Sequence, residues 1–203
     1  MLCILALLVA GLAALAAPAL ASASATITLQ NDNTYNPRSA TLDLGDGSFD
    51  WAWGPGGAGT IELHNVVQDA QLFSSGEPTA SDPDGFSVTA SAGGYEYFCQ
   101  IHLGMEGDVN VRPVLGASDT GAGPIQVAWA TATTTTGDTY DVRYRSGKRW
   151  KTWKEDTGKL SGVFGKRKKP IKVKSGRSYR FQVRSRSGNK RRSDFSPQLV
   201  VDR

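Results

Sequence analysis

From Ala25 onwards, short runs in which apolar and polar residues alternate one for one recur along the chain, and turn-forming residues separate them. Alternation at period two is the mark of a strand with one buried face. Ala25 to Gln30 alternates in this way, Asn31 to Pro37 is turn-rich, and Ala40 to Leu44 alternates again. After the turn Gly45-Asp46-Gly47, the side chains of Phe49, Trp51 and Trp53 share one face of a strand. Thr60 to Val67, Phe86 to Ala90, Tyr95 to Cys99 and Gly107 to Val111 read as further strands. Ser74 to Gly85, rich in Ser, Pro, Gly and acidic residues, reads as a loop. No stretch carries a convincing helical period. The expected class is therefore all-β, two β-sandwich domains joined by a short linker.

Charge supports the division. Residues 26–113 hold two basic and twelve acidic residues, whereas residues 119–203 hold twenty-one basic and seven acidic ones. A balance of −10 in one half and +14 in the other points to two domains with different partners. Gly, Pro and small residues crowd residues 114–124, the expected linker. A second series of alternating runs follows it: Ile125 to Trp129, Tyr140 to Arg145 and Tyr179 to Arg184. The expected domains are residues 26–113 and 125–201. Ahead of both, residues 2–17 are almost wholly apolar and Ala19-Leu20-Ala21 offers a small-residue cleavage pattern, so residues 1–21 read as a secretory signal peptide. The mature protein is then expected to be exported (periplasmic, cell-surface or extracellular), with no transmembrane span.

Removing that segment removes Cys3 and leaves Cys99 as the single cysteine, so no intrachain disulfide is available. A lone cysteine in an exported protein calls for a reason. It stands in Tyr95-Glu-Tyr-Phe-Cys-Gln-Ile-His-Leu-Gly-Met-Glu-Gly107, where Cys99, His102 and Met105 are spaced three apart. His64, the other of only two histidines, lies upstream. Thiolate, imidazole and thioether suit copper rather than magnesium or calcium, and thioether is a poor ligand for zinc. Two His, one Cys and a weak Met make the ligand set of a blue-copper electron-transfer site. A Cys–His nucleophile pair is the catalytic rival, but no orienting group or oxyanion hole is recognisable beside it. No enzymatic activity is expected.

These residues resemble the cupredoxins, the family of plastocyanin, amicyanin and pseudoazurin. The similarity spans Tyr35-Asn-Pro37, Leu44-Gly-Asp46, His64-Asn65-Val66 and Gly94-Tyr-Glu-Tyr-Phe-Cys99 leading into Cys-x-x-His-x-x-Met. It implies a Greek-key sandwich holding one type 1 copper. His64, Cys99 and His102 would be the equatorial ligands and Met105 the axial one. Asn65 would fix the ligand loops by hydrogen bonding, and Ile101 and Leu103 would form the apolar surface where a redox partner protein docks. The chain departs from the family at the glycine-rich Gly54 to Gly59. The second half resembles a fibronectin type III domain, an immunoglobulin-like sandwich. Trp129 matches its core tryptophan, Tyr140 to Tyr144 its third strand, and Tyr179 its corner tyrosine.

Alternation puts Arg143 and Arg145 on one face of their strand and Arg180 and Arg184 on one face of theirs. The fibronectin resemblance implies that the two strands pair in one sheet, so that all four share its outer face. Lys166-Arg-Lys-Lys169 and Lys190-Arg-Arg192 add further charge. That excess goes beyond solubility and suggests binding to an anionic cell-surface polymer. Nucleic acid is not expected, because no stacking aromatics fall on that face. The function expected from sequence is an exported electron carrier with a basic docking module. The alternatives are a copper storage or delivery protein, and an adhesion protein whose cupredoxin fold is structural.

Overall fold

The computed structural model describes residues 23–165, 172–188 and 191–203. The segment read as a signal peptide, the basic run Lys166 to Lys169, and Lys190 lie outside the described residues. Alternation became pleated sheet nearly everywhere it was expected, and the chain is all-β: sixteen strands and one 3-10 turn (Pro55–Gly57) among the described residues. No helix there is long and apolar enough to cross a membrane.

The first eight strands are β1 (Ala25–Leu29), β2 (Tyr35–Asn36), β3 (Ser39–Asp43), β4 (Phe49–Trp53), β5 (Val67–Gln68), β6 (Phe86–Val88), β7 (Gly93–Phe98) and β8 (Glu106–Arg112). They form two sheets, ordered β2-β1-β4-β6 and β3-β8-β7-β5. β1 runs parallel to β4, setting Ile27 beside Trp51 and Leu29 beside Trp53. β3 runs parallel to β8, setting Leu42 beside Val111. The inward residues of one sheet (Ile27, Leu29, Phe49, Trp51, Trp53) meet those of the other (Tyr95, Tyr97, Val109, Val111) in one core. Trp51 packs edge-on against Tyr97 at 5.3 Å between ring centroids, a favoured aromatic geometry.

One expected strand is missing. Thr60 to Val66 carries only an isolated bridge, His64 to Thr79, before β5 begins. The cause lies just upstream. Gly54 takes a left-handed φ of 72°, and a Cβ there would collide with the Gly59 carbonyl. The Gly59 N–H folds back onto the Trp53 carbonyl at 2.7 Å. This tight reversal carries the chain out of the sheet, and the Thr60 and His64 N–H groups donate to the Ala80 and Thr79 carbonyls.

The second group comprises β9 (Val114–Leu115), β10 (Ile125–Ala128), β11 (Thr139–Arg145), β12 (Lys151–Thr157), β13 (Ser161–Phe164), β14 (Ser178–Ser187), β15 (Arg191–Arg192) and β16 (Leu199–Asp202). Its sheets are β13-β10-β9 and β12-β11-β14-β15, with β16 also on β14. Ile125, Val127, Trp129, Tyr144, Phe164, Phe181 and Val183 fill the core between them. The Oη of Tyr179 accepts the Lys174 N–H at 2.8 Å, the bond back to upstream backbone that a corner tyrosine is expected to make. β12 shows no alternation in sequence, being Lys-Thr-Trp-Lys-Glu-Asp-Thr, but Trp153 packs edge-on against Phe164 at 5.2 Å and anchors it.

Part of the segment read as a linker is sheet. β9 pairs with β10, Leu115 opposite Val127. Beyond it the Asp119 carboxylate accepts Arg203 at 2.6 Å and the Gly121 and Gln126 N–H groups at 2.9 Å each. Burial pushes the Asp119 carboxyl up, but these donors outweigh it and hold it below the ordinary value.

The two sandwiches meet at a buried hydroxyl cluster. Tyr95 Oη lies 2.9 Å from Ser91 Oγ, 3.1 Å from Thr136 Oγ1 and 2.8 Å from Ser185 Oγ, and the Ser91 and Ser185 hydroxyls touch each other. The Gly94 and Asp194 backbones exchange hydrogen bonds alongside, at 3.0 and 2.8 Å. Gly93 is required here by closeness: a Cβ would sit 2.7 Å from the Ser193 hydroxyl.

Candidate metal centre

β7 ends at Phe98 and β8 begins at Glu106, so Cys99 to Met105 is the connection between two central strands. Two backbone bonds close it: Cys99 N–H to the Met105 carbonyl at 3.0 Å and Met105 N–H to the His102 carbonyl at 3.2 Å. Gly104, at φ 81°, supplies the left-handed turn that brings the chain back. Cys99 and Met105 consequently meet through their backbones at the base of the loop, both buried and both part of the first core, and His102, only partly buried, opens the turn that closes on Met105.

His64 comes from the other irregular segment. Its N–H donates to the Thr79 carbonyl at 2.8 Å and its carbonyl accepts the Thr79 N–H at 2.9 Å. Trp53 Nε1 donates to both carbonyls, at 3.2 and 2.9 Å, which ties this turn to the core. The tertiary fold thus brings His64, Cys99 and His102 together, with their ligand atoms within 4.8 Å of one another. The His64 and His102 rings are 4.7 Å apart between centroids, and Cys99 Sγ lies 3.5 Å from His102 Nδ1. Metal–ligand bonds of about 2.0–2.3 Å hold donors of one ion within roughly 4.5 Å of each other. The cluster has that scale.

His64 is wholly buried, yet neither its Nδ1 nor its Nε2 has a hydrogen-bond partner. An orphaned buried polar atom costs about 1–3 kcal/mol, so a ring with two of them demands something in the space beside it. Burial first, and then the neighbouring His102, depress the His64 pKa and favour the neutral imidazole. A neutral imidazole is the form that donates a lone pair to a metal. The donor set, the spacing and the orphaned ring all fit a transition metal with borderline to soft ligand preference.

Asn65 clamps the two loops together. Its Nδ2 donates to the Gly76 carbonyl at 2.8 Å and to Gln100 Oε1 at 2.6 Å, while its Oδ1 accepts the Gln100 N–H at 3.0 Å. Tyr35 Oη donates to the Asn65 carbonyl at 2.6 Å, fixing the residue from below. Asn65→Ala removes all three side-chain bonds, and at about 1 kcal/mol each the protein is expected to lose roughly 2–3 kcal/mol of stability. Denaturant midpoints measure the loss, and faster exchange of the Gln100 amide hydrogen would locate it in the clamp. An unchanged midpoint would mean that the two loops hold their places without Asn65.

Ile101 and Leu103, on either side of His102, are exposed. So are Ile61 and Leu63, in the turn that carries His64, which sequence reasoning assigned to a strand. The clue was the glycine loop ahead of them, which forbids continuation of β4. Arg143, Arg145, Arg180 and Arg184 lie on the outer face of β11 and β14 as alternation places them, with Arg145 directly opposite Arg180. Sequence reasoning missed Trp150 and Phe195, whose rings lie against Arg143, Arg145 and Arg184. Trp150 precedes a strand with no legible alternation, so its neighbourhood had no sequence signal.

Comparison of the chain with protein-family models and with curated proteins finds no match to either.

Proposed function

We propose that this protein is a mononuclear copper protein that passes single electrons between partners. His64, Cys99 and His102 would hold the ion, with Met105 as a weak fourth ligand. The observation that carries the reading is the convergence of one thiol and two imidazoles, one of them buried with both nitrogens unpartnered. The cupredoxin-like motifs at His64-Asn65 and Cys99 to Met105 support it from the sequence side.

Copper bound there supplies a one-electron couple between Cu(I) and Cu(II). The chain's own contribution is rigidity and access. Cys99 and Met105 are pinned by backbone bonds at the end of the two central strands, and Asn65 locks the His64 turn to the Cys99 loop. Ligands held by so many bonds move little when the charge of the site changes, which keeps reorganisation small. His102 is only partly buried and has the exposed Ile101 and Leu103 on either side of it in the loop, so a partner that covers these apolar residues comes close to the site. No substrate is transformed.

Titration of the apoprotein with Cu(II), followed in the visible region, tests the reading. An intense thiolate-to-copper band growing to one equivalent is expected, and colourless uptake would overturn it. Met105→Gln tests the fourth position. A thioether is a weak donor that favours Cu(I), so an amide oxygen is expected to lower the potential measured by voltammetry. An unchanged potential would remove Met105 from the ligand set.

A further inference from the structure

The outer face of β11 and β14 carries a feature that electron transfer leaves unused. Arg143 lies over two rings at once, 4.7 Å from the Trp150 centroid and 3.6 Å from that of Phe195. Arg145 lies over Trp150 at 4.8 Å, and Arg184 over Phe195 at 4.8 Å. The result is a row in which guanidinium groups and aromatic rings are layered together. Such stacking orders side chains that otherwise sample many rotamers.

The charge in this row is unevenly answered. Arg184 donates to Asp141 at 2.9 Å from both Nε and Nη2. Among the described residues, no carboxylate lies within ion-pair reach of Arg143, Arg145 or Arg180. Arg143 has only the neutral Gln182 Oε1, at 2.8 and 3.1 Å, and Arg145 only the neutral Gln198 Oε1, at 3.2 Å. A fold that neutralises Arg184, Arg186 and Arg203 with aspartates leaves these three cations aligned and unneutralised.

We propose that Arg143 and Arg145, ordered by Trp150 and Phe195, form with Arg180, which stands opposite Arg145, a binding site for a linear polysaccharide bearing carboxylate or sulfate groups. The planar fork of each arginine matches such an oxyanion with two parallel hydrogen bonds. The ring faces are covered by arginines, so they offer no platform for stacking bases, which single-stranded nucleic acid needs. Among the described residues Val200 is the one exposed large apolar residue paired into this part of the sheet, too little to anchor a lipid surface. The proposal does not rest on the copper reading.

The test uses the whole protein on immobilised polygalacturonate and dextran sulfate, with neutral dextran, duplex DNA and phosphatidylglycerol vesicles as competitors. Binding to the charged polysaccharides is expected, weakening steeply with salt as counterions are released. Arg143→Gln/Arg145→Gln is expected to lose about tenfold or more in affinity and to flatten the salt slope by roughly one unit per charge. The charge-matched control Arg38→Gln/Lys159→Gln, which removes two exposed cations elsewhere, is expected to change affinity little. Arg143→Lys/Arg145→Lys keeps the charge but loses fork and stacking, and a severalfold loss is expected. Equal losses in control and site variants, or full binding by the lysine variant, would overturn the site in favour of diffuse charge. Competition by DNA or vesicles but not by soluble polygalacturonate would overturn the choice of ligand. Low-salt self-association that polysaccharide fails to reverse would assign the face to the acidic half of a second copy.

Discussion

Cys99→Ser is expected to abolish the visible charge-transfer band of the copper-loaded protein while leaving the fold in place. The band requires a thiolate donor, and a hydroxyl does not supply one. The substitution exchanges one small buried side chain for another, and the backbone bonds between Cys99 and Met105 and between Met105 and His102 are untouched. Circular dichroism of the variant is therefore expected to match the parent, with the optical change confined to the metal. A band of undiminished intensity in Cys99→Ser would remove the thiol from the site. His64→Ala, in contrast, is expected to cost copper affinity and to relieve the apoprotein of a buried ring with two unsatisfied nitrogens.

The largest effect on stability is expected at Asp141, in the other sandwich. Its carboxylate accepts Arg184 Nε and Arg186 Nη1, each at 2.9 Å, and the Asp156 N–H at 2.9 Å. Arg186 is as buried as Asp141, so Asp141→Ala strands a buried cation whose one other carboxylate partner among the described residues is Asp156, 3.8 Å away. Breaking such a pair from one side costs about 3–5 kcal/mol. Replacing Asp141 and Arg186 together with Leu and Met removes both charges and is expected to restore much of that loss. Urea unfolding of the three proteins decides the matter, and a single-variant loss below about 1 kcal/mol would show that solvent reaches the pair.

The same carboxylate sets an acid limb. Burial pushes the Asp141 pKa up, but the Asp156 N–H and the two guanidiniums outweigh it and hold it below its ordinary 3.8. A depressed carboxylate contributes its full stabilisation above the unfolded value and loses it as pH falls through the folded one. The wild-type midpoint is thus expected to fall below about pH 4, more steeply than that of Asp141→Leu/Arg186→Met. Asp119, held down by Gly121, Gln126 and Arg203, adds to the same limb in both proteins.

How much of this was legible in the residues varies by element. β1, β4, β7, β11 and β14 were readable because each has one buried face, and a buried face imposes alternation. Cys99, His102 and Met105 were readable because they sit in one short loop, where spacing along the chain is spacing in space. β12 was not, because an edge strand needs only one anchoring aromatic, Trp153, and leaves its other positions free to be polar. β9 was hidden among glycines and small residues, since two residues suffice to pair once β10 presents an edge.

Local chemistry in the sequence by itself determined the all-β class, the outward face of the arginines within β11 and within β14, and the identity of the candidate ligands. Only the tertiary structure decided that His64 meets Cys99 and His102, that Asn65 bolts their loops together, and that Trp150 and Phe195 order the arginines. It also decided that Asp141 neutralises Arg184 and that, among the described residues, no carboxylate pairs with Arg143. Most of these join residues far apart along the chain, such as His64 with Cys99 and Arg143 with Phe195. Sequence pattern reports the face on which a residue lies, but which faces and loops come together depends on strand order and register, and those are settled by packing two cores at once.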